Sequence, residues 1–120
     1  MRASYLSPPD FHRLDWACRP IYVAFQTPPY LVGSVLHRPD FRDIDLRLIL
    51  DDEIFKAMIP NDEIGLLLNI ALSGLIAHTA NQPASIDFQI QQMTAANNEF
   101  GGQLRNPMGV RLQWRTQTEG

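Results

Sequence analysis

Leu31-Val32-Gly33-Ser34, followed after eight residues by Asp43-Ile44-Asp45-Leu46-Arg47-Leu48-Ile49-Leu50, is the stretch that decides how this chain folds. The second segment alternates apolar and polar residues with the period of a strand. Ile44, Leu46, Leu48 and Leu50 fall on one face and Asp43, Asp45 and Arg47 on the other, so one face is expected to pack and the other to stay polar. Tyr30 to Leu36 reads as a short buried strand leading into Gly33-Ser34. Ser85-Ile86-Asp87-Phe88-Gln89-Ile90-Gln91 alternates again, with Ile86, Phe88 and Ile90 inward and Asp87, Gln89 and Gln91 opposite.

The segments between these strands carry helix signals. Asp51-Asp52-Glu53 places carboxylates where a helix N-terminus favours them and predicts a short helix through Met58, ended by Pro60. Asn61-Asp62-Glu63 opens a longer helix to about Ala80. Its apolar run, Ile64 to Ala77, is interrupted by Gly65, Asn69, Ser73 and Gly74 and falls short of the about 20 apolar residues of a membrane span, so it reads as a buried helix. Its leucines and isoleucines nevertheless cover more than one stripe, and part of that surface is expected to meet a partner, a second copy in preference to another protein. Upstream, Phe11, Leu14, Cys18, Ile21, Tyr22 and Phe25 recur at helical spacing. That helix is expected to begin near Phe11 behind an Asp10 cap and to break near Arg19, because Pro20 has no N–H to donate. Downstream, Met93 to Glu99 reads as a short helix, Gly101-Gly102 and Asn106-Pro107 as breaks, and Gly109 to Arg115 as a last edge strand. The expected fold class is α/β, a small mixed β-sheet with helices packed on one face, forming a single domain over residues 1–120.

Composition bounds the function. The 120 residues are 45% hydrophobic and 19% charged, enough to bury a core, and the net charge of −3 provides no field that would draw DNA in without sequence preference. Nine of the ten basic residues are arginine, which GC-rich codon usage explains as readily as phosphate recognition by a planar fork. A lone cysteine, Cys18, excludes an internal disulfide, and with no leader-like start the expected location is the cytoplasm, away from membranes.

The polar features converge in sequence order. Residues two apart on a strand are about 6.6 Å apart and neighbouring strands lie about 4.8 Å away, so Asp43, Asp45 and Asp87 can meet on one sheet face. That spacing suits one or two Mg²⁺ ions, which sit roughly 3.5–4 Å apart in two-metal sites and take oxygen ligands from carboxylates and substrate phosphates. Gly33 lets backbone approach a phosphate, and Ser34 adds a hydroxyl and an N–H. Gln89 is expected to be a hydrogen-bonding neighbour of Asp87. His12, His37 and His78 lack metal-ligand spacing and read as structural or surface residues, with His37 alone near the phosphate loop and His78 near a helix C-terminus. Nothing in the sequence makes Cys18 a nucleophile.

Together, Leu31-Val32-Gly33-Ser34 and Asp43-Ile44-Asp45-Leu46 resemble the signature of the nucleotidyltransferase superfamily related to DNA polymerase beta. Its pattern is a hydrophobic residue, Gly and then Gly or Ser, a loop of this length, a carboxylate-hydrophobic-carboxylate strand, and a third carboxylate on a later strand. The resemblance covers about residues 30–91, and the whole chain is similar to small uncharacterised nucleotidyltransferase-like proteins of actinobacteriophages, which would place it in the host cytoplasm. It implies a minimal nucleotidyltransferase-like fold in which Gly33 and Ser34 hold the β- and γ-phosphates of an NTP. Asp43 and Asp45 would bind two Mg²⁺ ions. Asp87, matched by strand context, would hold the catalytic metal and orient or deprotonate an acceptor hydroxyl. Arg38, Arg42 and Arg47, with Arg105 or Arg111, are the expected triphosphate contacts. The implied reaction moves a nucleoside monophosphate from an NTP to a hydroxyl of RNA, protein or a small molecule such as an aminoglycoside.

The chain departs from better-known members in having no second helical domain to hold a base and no lysine-rich surface, which leaves the acceptor open. The alternative is a catalytically inactive member of the fold, a binding or virion-associated module acting through protein-protein contacts. Arg47, a cation beside the carboxylates that can pair with Asp45 or Asp87, favours that alternative. A nuclease using the same acids leaves Gly33-Ser34 without a role.

Overall fold

Ser7 and the two prolines behind it start the first helix. In the computed structural model, which describes residues 4–100 and 105–111, α1 (Pro8–Phe25) begins three residues before the expected Phe11. Ser7 rather than Asp10 is the cap, its side chain accepting from the Asp10 N–H, and Pro8 and Pro9 occupy the first turn, where a missing N–H is harmless. The expected break near Arg19 is absent. Pro20 lies on the exposed side of the helix, as does Trp16, whose carbonyl it cannot serve.

The sheet is formed by β1 (Tyr30–Val32), β2 (Asp43–Leu50), β3 (Ser85–Gln92) and β4 (Asn106–Pro107) in the order β3-β2-β1-β4. β2 and β3 are parallel, and β1 is antiparallel to both β2 and β4. This is the small mixed sheet of an α/β protein. β1 stops earlier than the expected Leu36 because Gly33 adopts a left-handed φ of 79° and turns the chain into a 3-10 segment, Gly33–Leu36, that buries Val35 and Leu36. Residues 109–111 form no strand, and residues 101–104 and 112–115, which carry the expected glycine break and the rest of the expected last strand, lie outside the described residues.

The even-numbered side chains of β2 pack as the alternation requires. Ile44, Leu46 and Leu48 join Leu31, Phe88 and, from α1, Leu14, Cys18 and Ile21 in one buried cluster. The opposite face is covered toward the C-terminal ends of β2 and β3 and at Val32 on β1, and among the described residues it is open at Asp43. Toward those C-terminal ends Ile49 is buried, and Gln91 donates to Glu99 on α4 (Met93–Phe100), whose Ala96 is buried. The short helix α2 (Asp52–Met58) is tied to α4 because Asp52 accepts from both the Thr94 hydroxyl and its N–H.

The long helix α3 (Asp62–Ala80) is capped at both ends, by the Asn61 side chain accepting from the Ile64 N–H and by left-handed Asn81. It lies along β3, the edge strand. Ser73 exchanges hydrogen bonds with the N–H and carbonyl of Phe88, and the Asn69 side chain accepts from the Ile90 N–H, so polar side chains close an edge that would otherwise invite pairing. The expectation of a buried helix is overturned. Only Ile76 and Ala80 are buried in α3, while Leu66, Leu67, Ile70 and Leu75 stand exposed. By length and composition α3 is also long and apolar enough to cross a membrane.

After β4 the chain crosses α1 at Gly109, where a Cβ would come within 2.7 Å of the Cys18 carbonyl and φ is 84°. Buried Asp15 holds this crossing by accepting from the Gly109 N–H at 2.8 Å and from Arg111 Nη1 at 2.7 Å.

Candidate functional site

Register assembles the acidic face. On adjacent parallel strands Asp45 pairs with Asp87 and Arg47 with Gln89, and on the antiparallel side Val32 pairs with Asp45 and Tyr30 with Arg47. Paired residues point to the same face, so Asp45, Asp87, Arg47 and Gln89 form one polar patch beside the end of β1. Asp43 is two residues before Asp45 on the same face, exposed at the open start of β2. The sheet thus brings Asp45 and Asp87 together and leaves Asp43 one step along. Among the described residues, no group of three His, Cys, Asp or Glu side chains is gathered tightly enough to hold a metal ion by itself.

Gly33 is the residue at which the motif closes. A Cβ placed there would lie 2.4 Å from Asp45 Oδ2, inside van der Waals contact, so a side chain at this left-handed φ of 79° would be strained and would push the Asp45 carboxylate aside. Ser34 follows in the 3-10 turn, where its carbonyl accepts from the N–H groups of His37 and Arg38.

Arg47 is the buried cation of the site. Its side chain is 8% exposed, and Nη2 lies 3.3 Å from Asp87 Oδ2 and 4.0 Å from Asp45 Oδ1. Nη1 donates to the Leu46 and Asp87 carbonyls at 2.9 and 2.8 Å. Nε is buried with no hydrogen-bond partner among the described residues. Gln89 Nε2 donates to both oxygens of Asp87, at 3.2 and 3.3 Å, in the supporting part expected for it.

One guanidinium against Asp43, Asp45 and Asp87 leaves two negative charges. Burial lifts the Asp45 carboxyl above its ordinary value, and the charges of Asp87 and Asp43 lift it further against the opposing pull of Arg47. Register sets the Asp45 and Asp87 carboxyls side by side, and the proximity of Asp87 is one cause of the lift on Asp45.

The other arginines divide. Arg38 is exposed on the loop after Ser34, with its Nε 3.5 Å from Asp40, and Arg42 is exposed immediately before Asp43. Two expected phosphate contacts are corrected. Arg111 is committed to buried Asp15, to the Pro107 carbonyl and to Asn106, with its guanidinium over the Phe11 ring, and Arg105 donates to Asn97 on α4. Asp15 was not singled out in the sequence as anything but a helix residue. Its signal was its place beside Leu14 and three before Cys18, on the face of α1 that packs.

His12 and His37 are exposed, and His78 lies in the last turn of α3 as expected. Cys18 is fully buried, and burial followed by the Asp15 charge pushes its thiol far above the ordinary range, which suits a packing residue. Neither a family model, nor a curated protein, nor a solved structure matches this chain.

Proposed function

We propose that the open end of this sheet face binds a nucleoside triphosphate with Mg²⁺ and transfers its nucleoside monophosphate to an acceptor hydroxyl. The observation that carries the proposal is the contact of Gly33 with Asp45: the phosphate-type turn and the carboxylate pair are one packed unit. The residues suit the cation. Every candidate ligand atom is a carboxylate oxygen, the donor Mg²⁺ prefers, and the site retains two negative charges after Arg47 is counted. Asp45 and Asp87, with Asp43 beside them, would hold the ion. When bound it would supply charge neutralisation for the triphosphate.

The chain's own residues account for the remainder. Backbone N–H groups and the hydroxyl at Gly33-Ser34 bind the β- and γ-phosphates, and Arg38 and Arg42 flank the approach. The buried, unpartnered Nε of Arg47 is a donor for an anionic oxygen reaching the acidic patch. Transfer forms a bond from the acceptor oxygen to the α-phosphorus and breaks the bond from that phosphorus to the bridging oxygen. Pyrophosphate leaves, and the hydroxyl proton passes to Asp87, the more exposed of the two paired carboxylates.

A second reading, a nucleotidyltransferase-like module that binds a partner without catalysis, is favoured by the Arg47–Asp87 pair, which already places a cation against the acids. Calorimetric titration with ATP, GTP, CTP and UTP in Mg²⁺ separates the two. Micromolar binding that needs Mg²⁺ and is lost in the Asp43→Ala, Asp45→Ala double variant supports the transferase. No binding of any nucleotide by equally well folded native protein overturns it.

A further inference from the structure

We infer that the exposed face of α3 is a self-complementary interface, on which a second copy of this chain packs its own α3 in the antiparallel sense. The inference is independent of the nucleotide site. It begins with exposure: Leu66, Leu67, Ile70 and Leu75 are each 56–61% exposed, while Ser73, Asn69, Ile76 and Ala80 on the opposite side of the helix are turned to β3 and the core. At 100° per residue, Glu63, Leu67, Ile70, Gly74 and His78 form the centre line of the exposed side, in steps of four, three, four and four that suit helix-helix packing.

Gly74 supplies the second observation. It sits in the interior of a 19-residue helix, where glycine is unfavourable, and a Cβ at that position would meet nothing within 4 Å. No packing among the described residues accounts for its size. It is a notch on the surface, in line with the large Leu67.

An antiparallel copy uses that notch. If Leu67 of each copy lies opposite Gly74 of the other, the helix repeat fixes every other pairing. On one flank of that contact Ile70 of each copy lies beside Ile70 of the other, on the opposite flank Ile64 lies beside Leu75 of the other, and with Leu67 seated over Gly74 the backbones can approach. The same register brings Glu63 in the acidic first turn against His78 in the last turn of the partner helix, twice by symmetry. Antiparallel helices also set the positive N-terminal end of each dipole beside the negative C-terminal end of the other. Size and charge therefore select the same alignment.

The area is adequate. The four exposed side chains and the partly exposed Ile64 present on the order of 400 Å² of apolar surface, so two copies bring about 800 Å² before Ala71, Ala77, the backbone at Gly74 and the polar rim are included, which together approach the roughly 1,200 Å² at which specific interfaces begin.

The test is sedimentation and light scattering of the full chain across a concentration series, with two variants. Native protein is expected to show the mass of two chains with a micromolar dissociation constant. Leu67→Glu, at an exposed position that leaves the monomer fold intact, should weaken association at least 10-fold. Gly74→Leu is the sharper variant: it adds apolar surface and has open space in the monomer, yet it fills the notch and should also weaken association at least 10-fold. Circular dichroism confirms that both variants fold. A native chain that stays monomeric to about 100 µM overturns the inference. So does a Gly74→Leu variant that associates as well as or better than native, or one that partitions onto phosphatidylcholine vesicles more strongly than native, because general stickiness and membrane insertion both reward added apolar surface.

Discussion

Replacing Arg47 with methionine keeps the packing of the side-chain stem and removes its charge. The guanidinium holds two backbone carbonyls, sits 3.3 Å from Asp87 and faces Asp45 at 4.0 Å, with the arginine side chain 8% exposed. Removing one partner of a fully buried ion pair costs about 3–5 kcal/mol, and because the Asp87 side chain is 44% exposed, solvent screening reduces the expected loss here to about 2–3 kcal/mol. For a chain of this length that lowers Tm by roughly 10 °C near neutral pH. The pH dependence has a definite sign. The folded-state pKa of Asp45 lies above the ordinary 3.8 of the unfolded chain, so between the two values the native state binds more protons and stability falls as pH rises through that window. Arg47 opposes this rise, so Arg47→Met lifts Asp45 further and extends the window upward. The deficit should be largest near neutrality, shrink as the pH approaches about 4, and be partly relieved at neutral pH by millimolar Mg²⁺. Thermal melts of both proteins across that range, with and without Mg²⁺, make the comparison. A variant that melts with the native protein, or a deficit unchanged by pH, would refute the assignment of Arg47 as the compensating cation of the acidic face.

Three further substitutions probe other joints. Gly33→Ala forces a Cβ against Asp45 Oδ2 at a left-handed φ; a loss of about 1–2 kcal/mol in chemical denaturation, together with loss of Mg²⁺-nucleotide binding, is expected, and unchanged binding would detach the turn from the site. Asp15→Ala strips partners from Arg111 and the Gly109 N–H in a buried setting and should cost about 3–5 kcal/mol by urea melts, whereas a loss under 1 kcal/mol would mean that the crossing over α1 is held by packing. Asp52 is held below its ordinary 3.8 first by the Thr94 hydroxyl and then by the Thr94 N–H, so its stabilisation is present above that value and fades as pH falls through the lowered one. Thr94→Ala should therefore narrow the difference between melts at neutral pH and at acid pH below the Asp52 range, and an unaltered difference would place the tie elsewhere.

The strands β2 and β3 were legible because alternation over Asp43–Leu48 and over Ser85–Gln91 admits one register of inside and outside, and the structure keeps their limits to within a residue. The pairing of Asp45 with Asp87 follows from nothing local. It depends on the parallel register, which the sequence pattern allows but does not select. The end of β1 and the continuity of α1 go against the local signals: Gly33 turns a strand that hydrophobicity would continue, and Pro20 sits on an exposed face of a helix that runs through it. The burial of α3 was not legible, since an apolar run does not say whether the surface covering it belongs to the same chain. Asp15 was missed because a carboxylate on a packing face has no pattern of its own until the C-terminal segment crosses it.

Along β2 the second face changes from exposed at Asp43 through half-buried at Asp45 to buried at Arg47 and Ile49. This gradient follows from the place of α4, which covers the sheet near Gln91 and leaves the Asp43 end open. Arg47 stands at the boundary, with its stem under cover and its head toward the acids. Such an arrangement is poor for stability: it desolvates a guanidinium, leaves its Nε unpartnered, and sets carboxylates close enough to raise the pKa of Asp45. Apolar residues in those positions would hold the sheet at least as well. Gly33 adds to the same account, since it gives up backbone order to keep clear of a carboxylate that the fold does not need. The covered end is not free of such penalties, since Gln91 Oε1 is also buried without a partner among the described residues, but the crowding of carboxylates is confined to the Asp45 end, where the proposed ligand would offset it.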